Sequence, residues 1–281
     1  MLLFQRGKSA VRRLLLHSRL AWLYGMCGTV YVSLRQRKVI RIYSKQGIWV
    51  HRFRDGALTD RHVNHRLSLQ RYLHDARDYW SWVYTPRHGD IVVDIGAGKG
   101  EDVPYFACAV GPSGRVLAVE AHPATFQCAA VLCRENGWTH VTPIHAAVCD
   151  RTGDVIIDNP ASDIMSRLTA SNDGLRIPGY TLDRLLENHA IKRIDFLKMN
   201  IEGAERDALR GMEQCLPNIR RLCISCHDFL ADRPHGSDAL RTKYEVSTFL
   251  RDRGFRIVSR DADPRPYIRD QVNAINERFD S

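Results

Sequence analysis

Val92-Val93-Asp94-Ile95-Gly96-Ala97-Gly98-Lys99-Gly100 runs from an apolar strand into a turn with glycine at every second position. The apolar run predicts a buried strand, and the glycines predict a tight turn that opens a helix. Gly96 and Gly98 remove side chains where a ligand must approach the backbone, with Ala97 between them, and amides at a helix start can face that ligand. Spacing separates three ligand classes. The dinucleotide pattern G-x-G-x-x-G needs glycine three positions after Gly98, where Glu101 stands. A phosphate-binding loop needs Ser or Thr after Gly-Lys, but Gly100 follows Lys99 and Val93 occupies the place of the loop's first glycine. What remains is D-x-G-x-G-x-G, in which Asp94 can accept hydrogen bonds from the amino group of a cationic ligand.

Outward from this turn, from residue 89 onward, short apolar strands alternate with helical stretches, the pattern of a parallel sheet covered on both faces. Strands are predicted at Ile91 to Asp94, Arg115 to Glu120, Val141 to Ala147, Ile194 to Met199, Arg221 to Cys226, Phe255 to Ser259 and Tyr267 to Ala274. Glu120 ends the second of them beside the same crevice, where a carboxylate can accept both hydroxyls of a ribose. Ala146-Ala147-Val148 ends the third. A polar insertion, Cys149 to Gly179, follows, with a hairpin arm predicted at Asp154 to Asn159.

The fourth strand carries the most specific segment, Ile194-Asp195-Phe196-Leu197-Lys198-Met199-Asn200-Ile201-Glu202-Gly203-Ala204-Glu205, followed by Ala208-Leu209-Arg210-Gly211-Met212. It resembles the signature of the FkbM-type S-adenosylmethionine-dependent O-methyltransferases. Tyr180-Thr181-Leu182-Asp183-Arg184-Leu185-Leu186 resembles that family's helix start, with Thr181 or Asp183 able to cap it. The resemblance covers roughly residues 89 to 260. It implies a Rossmann-like fold and S-adenosylmethionine as cofactor, held by Asp94, Gly96, Ala97, Gly98 and Glu120, with Ala147 near the adenine. It also implies methylation of a hydroxyl on a sugar, glycolipid, polyketide or similar natural product.

One position departs from the pattern: Asn200 stands where the family has aspartate, keeping hydrogen bonding but losing charge. Glu202 follows in the turn, as a site carboxylate or as an acid complementing a helix dipole. The fifth strand runs into Ser225-Cys226-His227-Asp228-Phe229, at the sheet edge where open α/β folds bind ligands. An imidazole there can take a proton from a hydroxyl at neutral pH, so His227 is the candidate general base, oriented by Asp228, with Asn200 and Glu202 beside it. A metal held by Asn200, Glu202 and His227 would have one charged ligand, and no metal is expected.

Composition supports a folded α/β chain: 281 residues, 44% apolar and 26% charged. The charge is uneven. Residues 1–88 hold 17 Lys/Arg and 4 Asp/Glu, a net of +13, which leaves −4 to residues 89–281. Three parts follow: a basic, partly apolar segment at 1–37, a hairpin (Lys38 to Arg54) and helix (61 to 84) within 38–88, and the methyltransferase-like domain at 89–281. The fold class is therefore α/β, a seven-stranded, mostly parallel sheet with helices on both faces, behind a basic α+β arm. Leu20 to Leu34 is uncharged for 15 positions, too short to span a bilayer, and its flanking arginines suit an interfacial segment. No signal-type cleavage site follows, so a cytoplasmic protein is expected, its apolar segment either resting peripherally on the inner face of a membrane or packing as a core helix of the same domain.

The eight cysteines read as mostly buried free thiols. Cys223 and Cys226 have metal-type spacing but fall three apart in a strand, on opposite faces. Two other readings stay open, a nucleic-acid methyltransferase using the basic arm and a non-catalytic cofactor-binding or membrane-docked protein. The first lacks the Asn/Asp-Pro-Pro-aromatic turn of amino-methylating enzymes after the fourth strand, and nucleic acid is not expected as a partner.

Overall fold

The computed structural model describes residues 20–157, 174–233 and 236–279. The first 19 residues of the basic segment, the end of the hairpin arm at 158–159 and most of the polar stretch beyond it lie outside them. The uncharged run forms helix α1 (Ala21–Gln36), which ends as Arg37 turns left-handed. Gln46 and Gly47, both at positive φ, close the hairpin of β1 (Arg41–Lys45) and β2 (Ile48–Phe53). A third strand, β3 (Gly56–Asp60), extends it into a meander beyond the predicted end at Arg54. The helix expected from residue 61 starts later, as α2 (Leu69–Trp80). Asp60 and Asn64 side chains accept the amides of His62 and Arg66, holding turns upstream, and the Ser68 hydroxyl then accepts the amide of Arg71 as the cap.

The alternation that follows is β4 (Ile91–Ile95), α3 (Val103–Val110), β5 (Arg115–Glu120), α4 (Pro123–Asn136) and β6 (Val141–His145). The insertion contributes β7 (Ala147–Val148), β8 (Gly153–Ile157) and β9 (Leu175–Tyr180), which form a small sheet in the order β7-β9-β8. Then come α5 (Leu182–Asn188), β10 (Phe196–Met199), α6 (Glu205–Arg210), β11 (Arg221–Ser225) and α7 (Asp228–Ala231). The chain continues through α8 (Lys243–Arg251), β12 (Phe255–Val258), α9 (Pro266–Arg269) and β13 (Gln271–Asn276). Thr181 caps α5, while Asp183 instead accepts the amides of Gln214 and Cys215.

The main sheet has the order β12-β13-β11-β10-β4-β5-β6, parallel except for β13, which is antiparallel to both neighbours. Its direction of winding reverses between β4 and β10. Two predicted strands are corrected. The last does not begin at Tyr267, because Pro266 fits the first turn of a helix and the strand starts at Gln271. The third stops at His145, and Ala147 leaves the main sheet to pair with β9. Pro143, which lacks an N–H, is tolerated in β6 because that strand lies at the sheet edge.

Successive strand residues face opposite sides, so Val93, Leu117, Leu197 and Leu222 pack with Leu185, Leu209 and Leu250 on one face. Val92, Val116, Phe196 and Cys223 pack on the other, with Phe106 and Leu132. That second cluster also takes in Val32, Trp49, Leu58 and Leu69 from the N-terminal elements, so they share the sheet's core. Cys223 and Cys226 lie in the two different clusters, and all eight cysteines are free thiols, with Cys27 and Cys108 exposed.

Candidate active site

At the reversal of winding, the exit of β4 passes close to the exit of β10. Gly96 leaves β4 at φ 74°, and a Cβ there would stand 2.0 Å from the carbonyl oxygen of Asn200. Only glycine combines that torsion with that approach. Around this contact, at the carboxyl ends of the strands, lies a cavity of about 390 Å³. Gly96, Ala97 and Gly98 line it after β4, Glu120 from β5 and Ala147 from β7, with Asn200 and Glu202 from the turn after β10. Asp94 and His227, the two other sequence candidates, are not among its lining residues.

The expectation that amides of the glycine turn face a ligand is not met. Gly96 and Ala97 donate to the Val119 carbonyl at 2.9 and 3.0 Å, and Gly100 donates to that of Ala97 at 2.9 Å. Gly98 donates to Glu120 Oε2 and Lys99 to Glu101 Oε2, both at 2.8 Å. Every amide from Gly96 to Gly100 thus has a protein acceptor, and the turn offers a phosphate no open donor. Glu120 is fixed in turn, since its Oε1 accepts the His122 amide and the Thr125 hydroxyl at 2.8 Å each. A carboxylate has acceptor capacity beyond these three bonds.

Among the described residues Glu101, Asp102, Glu120 and Glu202 line the cavity, against Lys198 as the one lysine or arginine. This balance suits a cationic ligand and opposes an anionic one. Lys198 is 1% exposed. Its Nζ lies 2.7 Å from Asp94 Oδ1 and 3.4 Å from Asp102 Oδ2, and donates to the Gly96 carbonyl at 2.8 Å. It also stands 5.0 Å from the centroid of the Trp80 ring. Burial acts to lower the lysine's pKa, but the fields of Asp94 and Asp102 outweigh it and hold the ammonium above its ordinary value. Burial pushes Asp94 up to about 6 against the pull of Lys198. Asp94 is not among the described lining residues and borders the cavity through the cation it anchors.

Sequence reasoning did not single out Lys198, Trp80 or Tyr79. A lysine inside the otherwise apolar Phe196-Leu197-Lys198-Met199 was the available signal, since a buried ammonium must have acids around it. Trp80 and Tyr79 reach the cavity from α2. That helix end is held to the segment before β13: Arg260 donates to the Asp78 carbonyl at 2.8 Å, Arg265 pairs with the Asp78 carboxylate, and the Tyr79 and Tyr267 rings meet edge-on. Trp80 Nε1 and Asn200 Oδ1 are buried with no hydrogen-bond partner among the described residues, leaving one donor and one acceptor that a ligand can satisfy.

His227 sits at the start of α7, with Nδ1 3.6 Å from Oε1 of the fully buried Glu205. Glu205 also accepts the Gly203 amide and the Thr242 hydroxyl at 3.0 Å each. Asp228, expected to orient His227, instead accepts the amides of Thr242 and Lys243. Glu202, in the cavity lining, is held at φ 51°, a conformation unusual outside glycine and frequent at functional turns. Among the described residues no group of three or more His, Cys, Asp or Glu is arranged to hold a metal ion.

Residues 94–257 match the family model described as the methyltransferase FkbM domain. The chain belongs to the FkbM methyltransferase family. A curated relative, the hexuronic acid methyltransferase AglP of Haloferax volcanii, is 23% identical over 139 residues, covering 49% of this chain and 56% of that protein. The matched stretch thus spans little more than half of that relative. Among solved structures, methyltransferase FkbM from Methylobacillus flagellatus KT is similar at 18% identity and a TM-score of 0.49, over 74% of this chain and 50% of that one. Aeropyrum pernix fibrillarin, in complex with natively bound S-adenosyl-L-methionine, is similar at 14% identity and 0.46, over 85% and 100%. The FkbM match begins at Asp94, so Tyr79 and Trp80 come to the cavity from outside the family domain.

Proposed function

We propose that the protein is an S-adenosylmethionine-dependent O-methyltransferase acting on a hydroxyl of a sugar or sugar-like acceptor. The acid-lined cavity at the winding reversal of an FkbM-family domain carries this reading: it suits a cationic, adenosine-bearing ligand and offers phosphates no amide. When bound, the cofactor supplies an already activated methyl group, and the residues of the chain have to bind, orient and accept a proton. Glu120 would accept the ribose hydroxyls, and Ala147 would leave room for a flat ring. Glu101 and Asp102 favour the positive charge, and Asn200 Oδ1 gives a buried acceptor atom a ligand donor can meet.

Glu202 would take the proton of the acceptor hydroxyl, with S-adenosylmethionine supplying the methyl group when bound. Glu202 takes this role because it lines the cavity. His227 lies outside the described lining, with Nδ1 3.6 Å from Glu205 Oε1 and no hydrogen bond between them. The sugar class of the acceptor is favoured by AglP, a hexuronic acid methyltransferase.

Calorimetric titration with S-adenosylmethionine and S-adenosylhomocysteine tests the reading. Saturable binding is expected, weakened about 10- to 100-fold in Glu120→Ala, the span of a lost hydrogen bond to a charged group. With an acceptor found from a panel of sugars, Glu202→Gln should lower kcat by about a hundredfold while leaving cofactor affinity within about threefold. Absence of binding by either ligand overturns the reading, and unchanged turnover in Glu202→Gln removes that residue as the base.

A further inference from the structure

Helix α1 is fixed to the meander in one rotation. A Cβ on Gly25 would stand 2.8 Å from the Ile42 carbonyl oxygen, so the helix lies directly against β1. The Thr29 and Ser33 hydroxyls accept the amides of Ile42 and Ile40 at 2.8 and 3.1 Å. Gln36 Nε2 donates to the carbonyls of Leu67 and His65 at 2.8 and 2.9 Å. The opposite face is apolar and open: Trp22 is 63% exposed, Met26 57%, Val30 60% and Leu34 75%, with Leu23 and Tyr31 beside them. A contiguous stripe of large apolar side chains on an already docked helix marks a surface built to meet something.

Charge says what that is. At the C-terminal end of the stripe Arg35, Arg37, Lys38 and Arg41 are all exposed. The first acid in the whole sequence is Asp55, after 12 Lys/Arg. The helix is about 24 Å long at 1.5 Å per residue, and no helix among the described residues is long and apolar enough to cross a membrane. An apolar stripe with a basic rim, held parallel to the protein surface, matches an anionic bilayer face. We infer that the outward face of α1 and its basic rim rest on an anionic phospholipid surface. This inference stands independently of the methyl-transfer reading.

The full chain is sedimented with phosphatidylcholine vesicles with or without phosphatidylserine. Three proteins are compared: wild type; Trp22→Ser, Met26→Ser, Val30→Ser and Leu34→Ser combined; and Arg35→Glu, Arg37→Glu and Lys38→Glu combined. All changes fall on exposed positions, so thermal midpoints should be preserved. Wild type is expected to bind the phosphatidylserine vesicles at least about tenfold more tightly than the neutral ones, with salt weakening the difference. Each variant should lose about tenfold or more. Wild type binding neither vesicle overturns the inference, as does a stripe variant that binds like wild type. A stripe variant that turns a self-associated wild type into a monomer, with vesicle binding unaltered, assigns the face to a second copy instead.

Discussion

Lys198 keeps its charge inside the protein because two carboxylates and a carbonyl surround its ammonium. Removing one partner of a buried pair leaves the other charge without compensation and typically costs about 3–5 kcal/mol, whereas replacing both is far milder. Lys198→Met is therefore expected to lower stability by roughly that amount in denaturant unfolding, and Asp94→Asn with Lys198→Met to recover much of it. A double variant as unstable as the sum of its parts would show that the two side chains act separately. At this scale the sequence located the cavity well: the glycine register and the strand-end Glu120 depend on spacing, which is visible in the chain. It did not show that Asp94 is engaged by Lys198, because that cation comes from a strand far along the chain. Nor did it show that His227 lies outside the described lining, since a strand-end position does not reveal which way a ring turns.

In β2, His51 is fully buried and its Nε2 accepts the amide of Asn64 at 3.0 Å. Burial pushes it down to about 4 from an ordinary 6.5, with Asp60 pulling only partly the other way. The unfolded chain therefore binds this proton first as pH falls. The stability His51 contributes is present above pH 6.5 and is lost between there and about pH 4. In urea unfolding at neutral pH and near pH 4.5, wild type should lose about 1–3 kcal/mol more than His51→Gln. Asp94, whose raised pKa acts in the opposite direction, is common to both proteins and cancels; equal losses would remove His51 as the acid-sensitive group. Element boundaries were legible where an apolar run met a cap or a glycine, as at β4 and α5. They were not where proline turned an apparent strand into α9, or where the third strand handed Ala147 to a second sheet, because pairing partners decide those limits.

Across the whole molecule, the alternation of strands and helices announced a parallel sheet, and the charge asymmetry marked the N-terminal region as distinct. Charge could not reveal that α1, the meander and α2 complete one face of the sheet's core through Val32, Trp49, Leu58 and Leu69. A chain beginning at residue 61 uncovers that face and is expected to lose the cooperative thermal transition of the full protein. A sharp transition at the same temperature would instead mean that the sheet carries a self-sufficient core. The closed hydrogen bonding of the glycine turn bears on chemical company. Adenosine triphosphate presents the same adenosine as the proposed cofactor but ends in a train of negative charge, and here it would meet carboxylates and amides already engaged. Two ligands sharing a base and a sugar are therefore expected to be told apart at the tail, and inhibitors for this site should be built neutral or cationic beyond the ribose.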